Sequence, residues 1–183
     1  MTVKSFPCSL IVKDRACWVI GAGREAIDKA AKLVKAGGDV RVIAEKDFRI
    51  EELENQFFVV LTIKGNPALT KKVAQRCREK RILLCAIDQP EYCDVTNVAV
   101  FERGALRISV STDGVSPALA RKIREGLEAS LKDAPIESFL KELADLRKSL
   151  ETAKPSDARI QKLIDAVQDV KFEAKMSIPK GNP

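Results

Sequence analysis

The sequence predicts an α/β fold: a mostly parallel sheet, then a β-hairpin, then a helical carboxyl-terminal segment. Three observations carry this. Short apolar runs alternate with stretches of helical periodicity as far as Asp88, the rhythm of strands and the helices that cover them. After Asp88 the rhythm changes to two strand-like runs joined by Glu102-Arg103-Gly104-Ala105, a hairpin pattern. Pro135 and Pro155 then punctuate two amphipathic stretches.

The elements follow in order. Ala16 to Ile20 is an apolar run ending in Gly21-Ala22-Gly23, a buried strand entering a turn. Ala26, Ile27, Ala30, Leu33 and Val34 have helical spacing over residues 24–36, and Gly37-Gly38 stops that helix. Val40 to Ala44 is a second strand, residues 48–56 a polar helical connector, and Phe57 to Ile63 a continuous apolar strand. Asn66-Pro67 is a helix start, Asn as the cap and Pro at the first helical position. That helix runs to about Arg81, and Ile82 to Ile87 is another buried strand ending at Asp88. Asn97–Phe101 and Leu106–Val110 form the hairpin. Ser116-Pro117 starts a helix reaching about Leu131, and two more helices are expected at about 136–152 and 157–175, before a loose tail from Ser177.

Composition excludes several kinds of chemistry. The 183 residues contain no histidine, so a Ser-His-Asp triad, a His-ligated zinc site and a His general base are all impossible. Proton transfer near neutral pH falls to carboxylate, Lys, Tyr, Cys or substrate groups. The net charge is +6, and it is uneven: residues 132–183 carry 10 basic and 9 acidic side chains, residues 1–131 the other 22 and 17. The surplus is either a solvated surface or the mark of an anionic ligand. Nucleic acid is not expected as a partner, because aromatics are only 5% and no basic run interleaves with them. Cysteines 8, 17, 77, 85 and 93 are odd in number with no Cys-x-x-Cys, which suggests buried reduced thiols in a reducing cytoplasm and no metal site. No apolar run is long enough to span a membrane and no secretory signal is apparent.

Gly21-Ala-Gly23-Arg-Glu-Ala26 matches G-x-G-x-x-G/A, with a strand before it, a helix after it and a second strand within about 30 residues. This is the setting of a Rossmann-like dinucleotide turn. The first glycine permits the tight turn, the second lets backbone approach a pyrophosphate, and Ala26 lets the helix pack close. The helix start supplies N–H groups and partial positive charge. Glu45 ends the second strand, 19 positions after Ala26. It is either a solvated loop acid or an acceptor for a ribose diol, in which case it favours NAD over NADP.

Asp88 follows the carboxyl end of an apolar strand, where ligands bind in open parallel sheets. It is either a turn residue before Pro90 or an acid that takes a proton. Ser109, Ser111, Thr112 and Ser116 surround Gly114, ahead of Arg121, Lys122 and Arg124. Ser116 is a helix cap, and the group is either a capped turn with a solvated basic face or a second anion site.

Together these residues resemble a known family. The relevant blocks are Ile20-Gly21-Ala-Gly23-Arg-Glu-Ala26, Gly38-Asp-Val-Arg-Val, Leu83-Leu-Cys-Ala-Ile-Asp88-Gln-Pro90-Glu-Tyr-Cys93-Asp94 and Ser109-Val-Ser111-Thr-Asp-Gly114-Val-Ser116-Pro117-Ala-Leu-Ala-Arg121. The chain looks like the precorrin-2 dehydrogenase family, which includes the amino-terminal part of siroheme synthase, over about residues 5–131. The resemblance implies NAD-dependent oxidation of precorrin-2 to sirohydrochlorin, with iron insertion in some members. It implies a cytoplasmic homodimer, with residues 1–95 binding NAD, 96–131 giving dimerisation strands and a helix, and 132–183 a helical segment. It implies that Asp88 matches the family's essential aspartate, acting in proton removal. Arg24, Glu25, Glu45 and Lys46 match positions near the nucleotide, and the Thr62 loop should line its pocket. Ser111, Thr112 and Ser116 match the loop near an anionic tetrapyrrole, with Gly114 and Arg121 beside them. The basic front portion suits a polycarboxylate.

The chain departs from the family pattern in several places, among them Thr70 for an expected Asn, Cys85 for a common Asn and Asp113 for a common Gly. Only about a dozen residues join Ala44 to Phe57, so the sheet is expected to have a shortened edge. The family's Ala-Thr-Asp-Asp is replaced by Leu61-Thr62-Ile-Lys64. These departures motivate the alternative of a non-catalytic relative that binds tetrapyrrole or nucleotide.

Overall fold

Three short apolar runs and one mixed edge run (Asp39–Ile43) pair into one parallel sheet. They are β1 (Ala16–Ile20), β2 (Asp39–Ile43), β3 (Phe58–Leu61) and β4 (Leu83–Ala86), in the order β2-β1-β3-β4. The computed structural model describes residues 5–151 and 157–177. It divides into two units, one up to Asn97 and one from Val98 onward.

In the first unit, α1 (Gly23–Lys35) and α2 (Pro67–Lys80) cover opposite faces of the sheet. Strand side chains alternate between faces, and here both faces are apolar because both are covered. Cys17, Val19, Phe58, Val60, Cys85 and Ile87 pack with Ala26 and Leu33 of α1. Ile20, Val59, Leu61, Leu84 and Ala86 pack with Val73, Ala74 and Cys77 of α2. The register puts Val19 between Val42 and Val60, and Val60 against Cys85. Asn66 caps α2 as expected: its side-chain oxygen accepts the Leu69 N–H at 3.1 Å.

The connector between β2 and β3 differs from expectation. Instead of a helix over residues 48–56 it makes two single 3₁₀ turns, Glu45–Asp47 and Ile50–Glu52, and no strand. Phe48 and Leu53 are nevertheless buried in the α2-side core. Two anchors, with too few residues between them for a helix of useful length, explain the irregular path. Arg76 Nε donates to the Leu53 carbonyl at 3.0 Å, and Arg76 and Lys80 both pair with Glu54. The outer edge of β4 is covered by its own continuation. Asp94 and Val95 N–H donate to the Leu84 carbonyl at 2.8 and 3.1 Å, and Ala86 N–H donates to Cys93 Sγ at 3.1 Å. A paired edge offers no template for another strand.

In the second unit, β5 (Ala99–Arg103) and β6 (Leu106–Val110) form the expected antiparallel hairpin. The helix α3 (Pro117–Ser130) packs on it, with Phe101 and Ala120 buried. Arg103 reaches the end of α3 and donates to the carbonyls of Leu131 and Lys132, satisfying acceptors that a helix end leaves open. The helices α4 (Ile136–Glu151) and α5 (Asp157–Asp165) follow. The expectation that the last helix reaches residue 175 is corrected: it stops at Asp165. Val167, Val170 and Phe172 beyond it are exposed, so no burial sustains further turns. The expected loose tail from Ser177 lies almost wholly outside the described residues.

The cysteines also need correction. Cys17, Cys77 and Cys85 are buried, but Cys8 is exposed and Cys93 only half-buried. Burial pushes the Cys77 thiol up to about 12. A hydrogen bond with Cys93, then burial, raises that of Cys85, while the same bond lowers that of Cys93. Alkylation of the native protein with iodoacetamide at pH 8 is therefore expected to modify Cys8 first and Cys93 second, sparing Cys17, Cys77 and Cys85, as read by peptide mass spectrometry.

Candidate functional site

The chain leaves β1 toward β2 on one side of the sheet, while β3 and β4 lie on the other. The carboxyl ends of β1 and β3 therefore flank a topological switch point, where open α/β sheets hold their ligands. Gly21 occupies that point. Its φ is +133°, and a Cβ built there would lie 2.1 Å from Thr62 Oγ1. Gly21 N–H donates to the Ile43 carbonyl at 2.8 Å. Thr62 is buried and donates to the Ile20 carbonyl from its N–H at 2.9 Å and its hydroxyl at 3.3 Å. The turn is closed on both sides, and only glycine fits it.

Gly23 opens α1 with φ +79°, and a Cβ there would meet nothing within 4 Å. Ala26 is 1% exposed and seats the helix against the sheet. Ala22, at the cap position, supplies no side-chain hydrogen bond, whereas Asn66 and Ser116 cap α2 and α3. The first N–H groups of α1 therefore face open space beside Gly23, the arrangement that receives a phosphate.

Three loops at the carboxyl edge then meet through one side chain. Lys64, after β3, places Nζ 2.6 Å from Asp88 Oδ2 and 3.1 Å from Glu25 Oε2. Glu25 is in the first turn of α1, and Asp88 follows β4 in the left-handed region with φ +60°. An Asp tolerates that conformation better than most residues. Gln89 Nε2 donates to the Ile63 carbonyl at 3.3 Å and fixes the turn from its far side. The Asp88 hydrogen bond, then that of Glu25, raises the Lys64 ammonium above the usual lysine range, so it is charged at neutral pH. Lys64 is the site residue that sequence reasoning missed. The available signal was its position on the third strand-to-helix loop of the carboxyl edge, level with Gly21 and Asp88.

The other expected nucleotide residues are placed less centrally. Arg24 leans along α1 to Asp28, Nε to Oδ2 3.9 Å. Glu45 stands exposed at the end of β2 and accepts from Asn66 Nδ2 at 3.4 Å. Lys46 is exposed, and its carbonyl accepts from Arg49 at 3.0 Å.

Ser111, Thr112, Gly114, Ser116 and Arg121 belong to the second unit and gather at the start of α3. Ser111 Oγ accepts the Asp113 N–H, Thr112 Oγ1 the Ser116 N–H and Ser116 Oγ the Leu119 N–H, at 3.1, 3.1 and 3.2 Å. These hydroxyl oxygens shape the turn, with Asp113 and Gly114 both at positive φ. The Ser111 hydroxyl also donates to Asp113 Oδ1 at 3.5 Å, while those of Thr112 and Ser116, each accepting one N–H, retain an O–H to donate. Arg121 pairs with Glu125 at 3.0 Å on the exposed face of α3.

The residues present fit a dinucleotide. Gly23 opens a space that a side chain would fill, the helix start is unspent, and Thr62 closes the floor. Among the described residues no helix is long and apolar enough to cross a membrane, and no group of three or more Cys, Asp or Glu side chains is placed to hold a metal ion.

Sheet order, glycine turn and open helix start define a dinucleotide-binding α/β module. The chain belongs to the family described as "Putative NAD(P)-binding", whose model matches residues 8–99. A second family model, "Sirohaem biosynthesis protein central", matches residues 103–130. Similar curated proteins include the siroheme synthases of Thioalkalivibrio sulfidiphilus and Photobacterium profundum. The first is 31% identical over 70% of this chain and 30% of that protein, the second 30% identical over 66% and 29%. The chain thus spans about 30% of the length of these relatives. Among solved structures, SirC, a precorrin-2 dehydrogenase, superposes with a TM-score of 0.73 over 90% of both chains at 23% identity, a likeness of fold.

Gly21→Ala is expected to lose stability by about 1–3 kcal/mol, more than Gly23→Ala, because only the first meets Thr62 as well as a strained φ. Urea denaturation of the two variants checks the order.

Proposed function

We propose that the protein oxidises precorrin-2 to sirohydrochlorin with NAD, as a cytoplasmic homodimer. The observation that carries this reading is the meeting of an open helix start, a glycine turn closed by Thr62, and an ion-paired Asp88 at one switch point. The two family models, matching in the order nucleotide module then sirohaem segment, support the choice of tetrapyrrole over another substrate.

Gly21, Gly23 and Ala26 shape the turn that would hold the pyrophosphate, with the N–H groups of α1 as donors. Thr62 would form the pocket floor. Glu45 would accept from the ribose diol, with Arg24, Glu25 and Lys46 at the rim. A bound nicotinamide would supply the hydride acceptor. The oxidation also releases a proton, and Asp88 would accept it: a carboxylate beside an ammonium offers acceptor oxygens, and the chain holds no histidine to do this. Thr112, Ser116 and the backbone at Gly114 would donate to substrate carboxylates, Ser111 would do so by leaving Asp113, and Arg121 would exchange its partner Glu125 for one. An exposed i,i+4 pair contributes little, so that exchange costs little.

Purified protein with NAD is expected to convert precorrin-2 to sirohydrochlorin, followed by absorbance. Asp88→Ala is expected to lose about 100-fold or more in kcat, the usual contribution of a positioned base, with NAD binding no weaker than in the wild type. Binding of sirohydrochlorin with no turnover in the wild type would instead mark a non-catalytic relative. Calorimetry is expected to show NAD binding about tenfold more tightly than NADP, a preference narrowed in Glu45→Ala because the acid repels a 2′-phosphate.

A further inference from the structure

Glu25 poses an electrostatic problem for the nucleotide site. It sits in the first turn of α1, the turn whose N–H groups would face the pyrophosphate, and it is only partly shielded from the opening, its side chain 37% exposed. A carboxylate there complements the helix dipole, but it repels the phosphates that the same dipole would attract. Asp88 adds a second negative charge across the opening. Arg24, beside Glu25 in sequence, leans instead to Asp28 at 3.9 Å. The cation that meets both acids is Lys64, at 3.1 and 2.6 Å.

We propose that Lys64 is the charge-compensating, positioning residue of this site: it neutralises Glu25 beside the phosphate-binding turn and so strengthens dinucleotide binding at a mouth that carries two carboxylates. The proposal rests on the nicotinamide reading above. The three side chains together carry one net negative charge, and without Lys64 they carry two. The bridge is exposed, Lys64 54% and Asp88 69%, so it contributes little to folding, and its main effect is where it places charge.

The test is calorimetric titration with NAD, in wild type, Lys64→Gln, Lys64→Arg, Glu25→Gln and the double variant Glu25→Gln/Lys64→Gln. Thermal melts confirm that each is folded. Lys64→Gln is expected to weaken NAD binding about tenfold at low salt and less at high salt. Lys64→Arg, which keeps the charge, is expected to bind as wild type within about threefold. In the double variant the net charge of the trio returns to its wild-type value, and affinity is expected to return with it. Wild-type affinity in Lys64→Gln overturns the proposal. So does a double variant as weak as Lys64→Gln, which would make Lys64 a direct ligand or a scaffold residue. A wild-type protein that fails to bind NAD overturns the nicotinamide reading itself, and that result is distinct from both.

Discussion

The contact between Gly21 and Thr62 sets the geometry of the first unit. β1 and β3 are neighbours, with Ile20 opposite Leu61, and the residues that follow must pass each other where the strands end. Thr62 spends both its N–H and its hydroxyl on the Ile20 carbonyl. That leaves no room for a Cβ on Gly21, the residue that follows β1. The chain turns away, and the turn sets where α1 begins. Ala26 then meets the sheet, Leu33 joins the same core, and the open start of α1 comes to stand over the crevice. The nucleotide site is thus a by-product of closing two strand ends against each other, and a larger residue at position 21 would disturb fold and site together.

Charge tells a second story. The sequence carries a surplus of six positive charges, and a polyanionic ligand is a natural object for it. Yet at the crevice the balance is reversed, with two carboxylates around one ammonium. On α3, Arg121 and Arg124 are already paired with Glu125 and Glu128. A net positive charge draws anions toward a protein, while at these two places each cation already has an acid beside it. Exposed pairs of this kind exchange partners readily, because water screens them and each contributes little.

Much of this was legible in the sequence. The strand-helix alternation follows from apolar runs bounded by glycine and proline, and both Asn66-Pro67 and Ser116-Pro117 begin helices as such pairs should. The glycine turn was legible because the conformations it requires admit almost no other residue. What periodicity could not show was the partner of each acid. Asp88 was readable as a residue at a strand end, but its meeting with Lys64 depends on two loops brought side by side by parallel pairing. The last helix was overestimated for a related reason. Val167 and Val170 keep helical spacing with Ile160 and Ile164, but spacing carries no information on whether a stripe has anything to bury against, and all four are exposed.

The connector between β2 and β3 shows why a short edge need not cost the site. A sheet face left bare would expose Ile43 and Leu61 to water, and such a loss would loosen β2 and the turn that Gly21 anchors on the Ile43 carbonyl. Here Phe48 and Leu53 are 7% and 0% exposed and fill that face with two side chains. Burying each is worth on the order of 1.5–3 kcal/mol. Arg76 and Lys80 of α2 then fasten Glu54 from the far side, and the Lys80 hydrogen bond holds that carboxyl below its ordinary range, so the fastening persists at neutral pH. The segment thus does with two anchors and a salt bridge what a further strand and helix would do by area. β2 keeps a packed face, its end keeps Glu45 at the rim, and the crevice between β1 and β3 keeps its shape, because the shortened segment lies to one side of the contact that defines it.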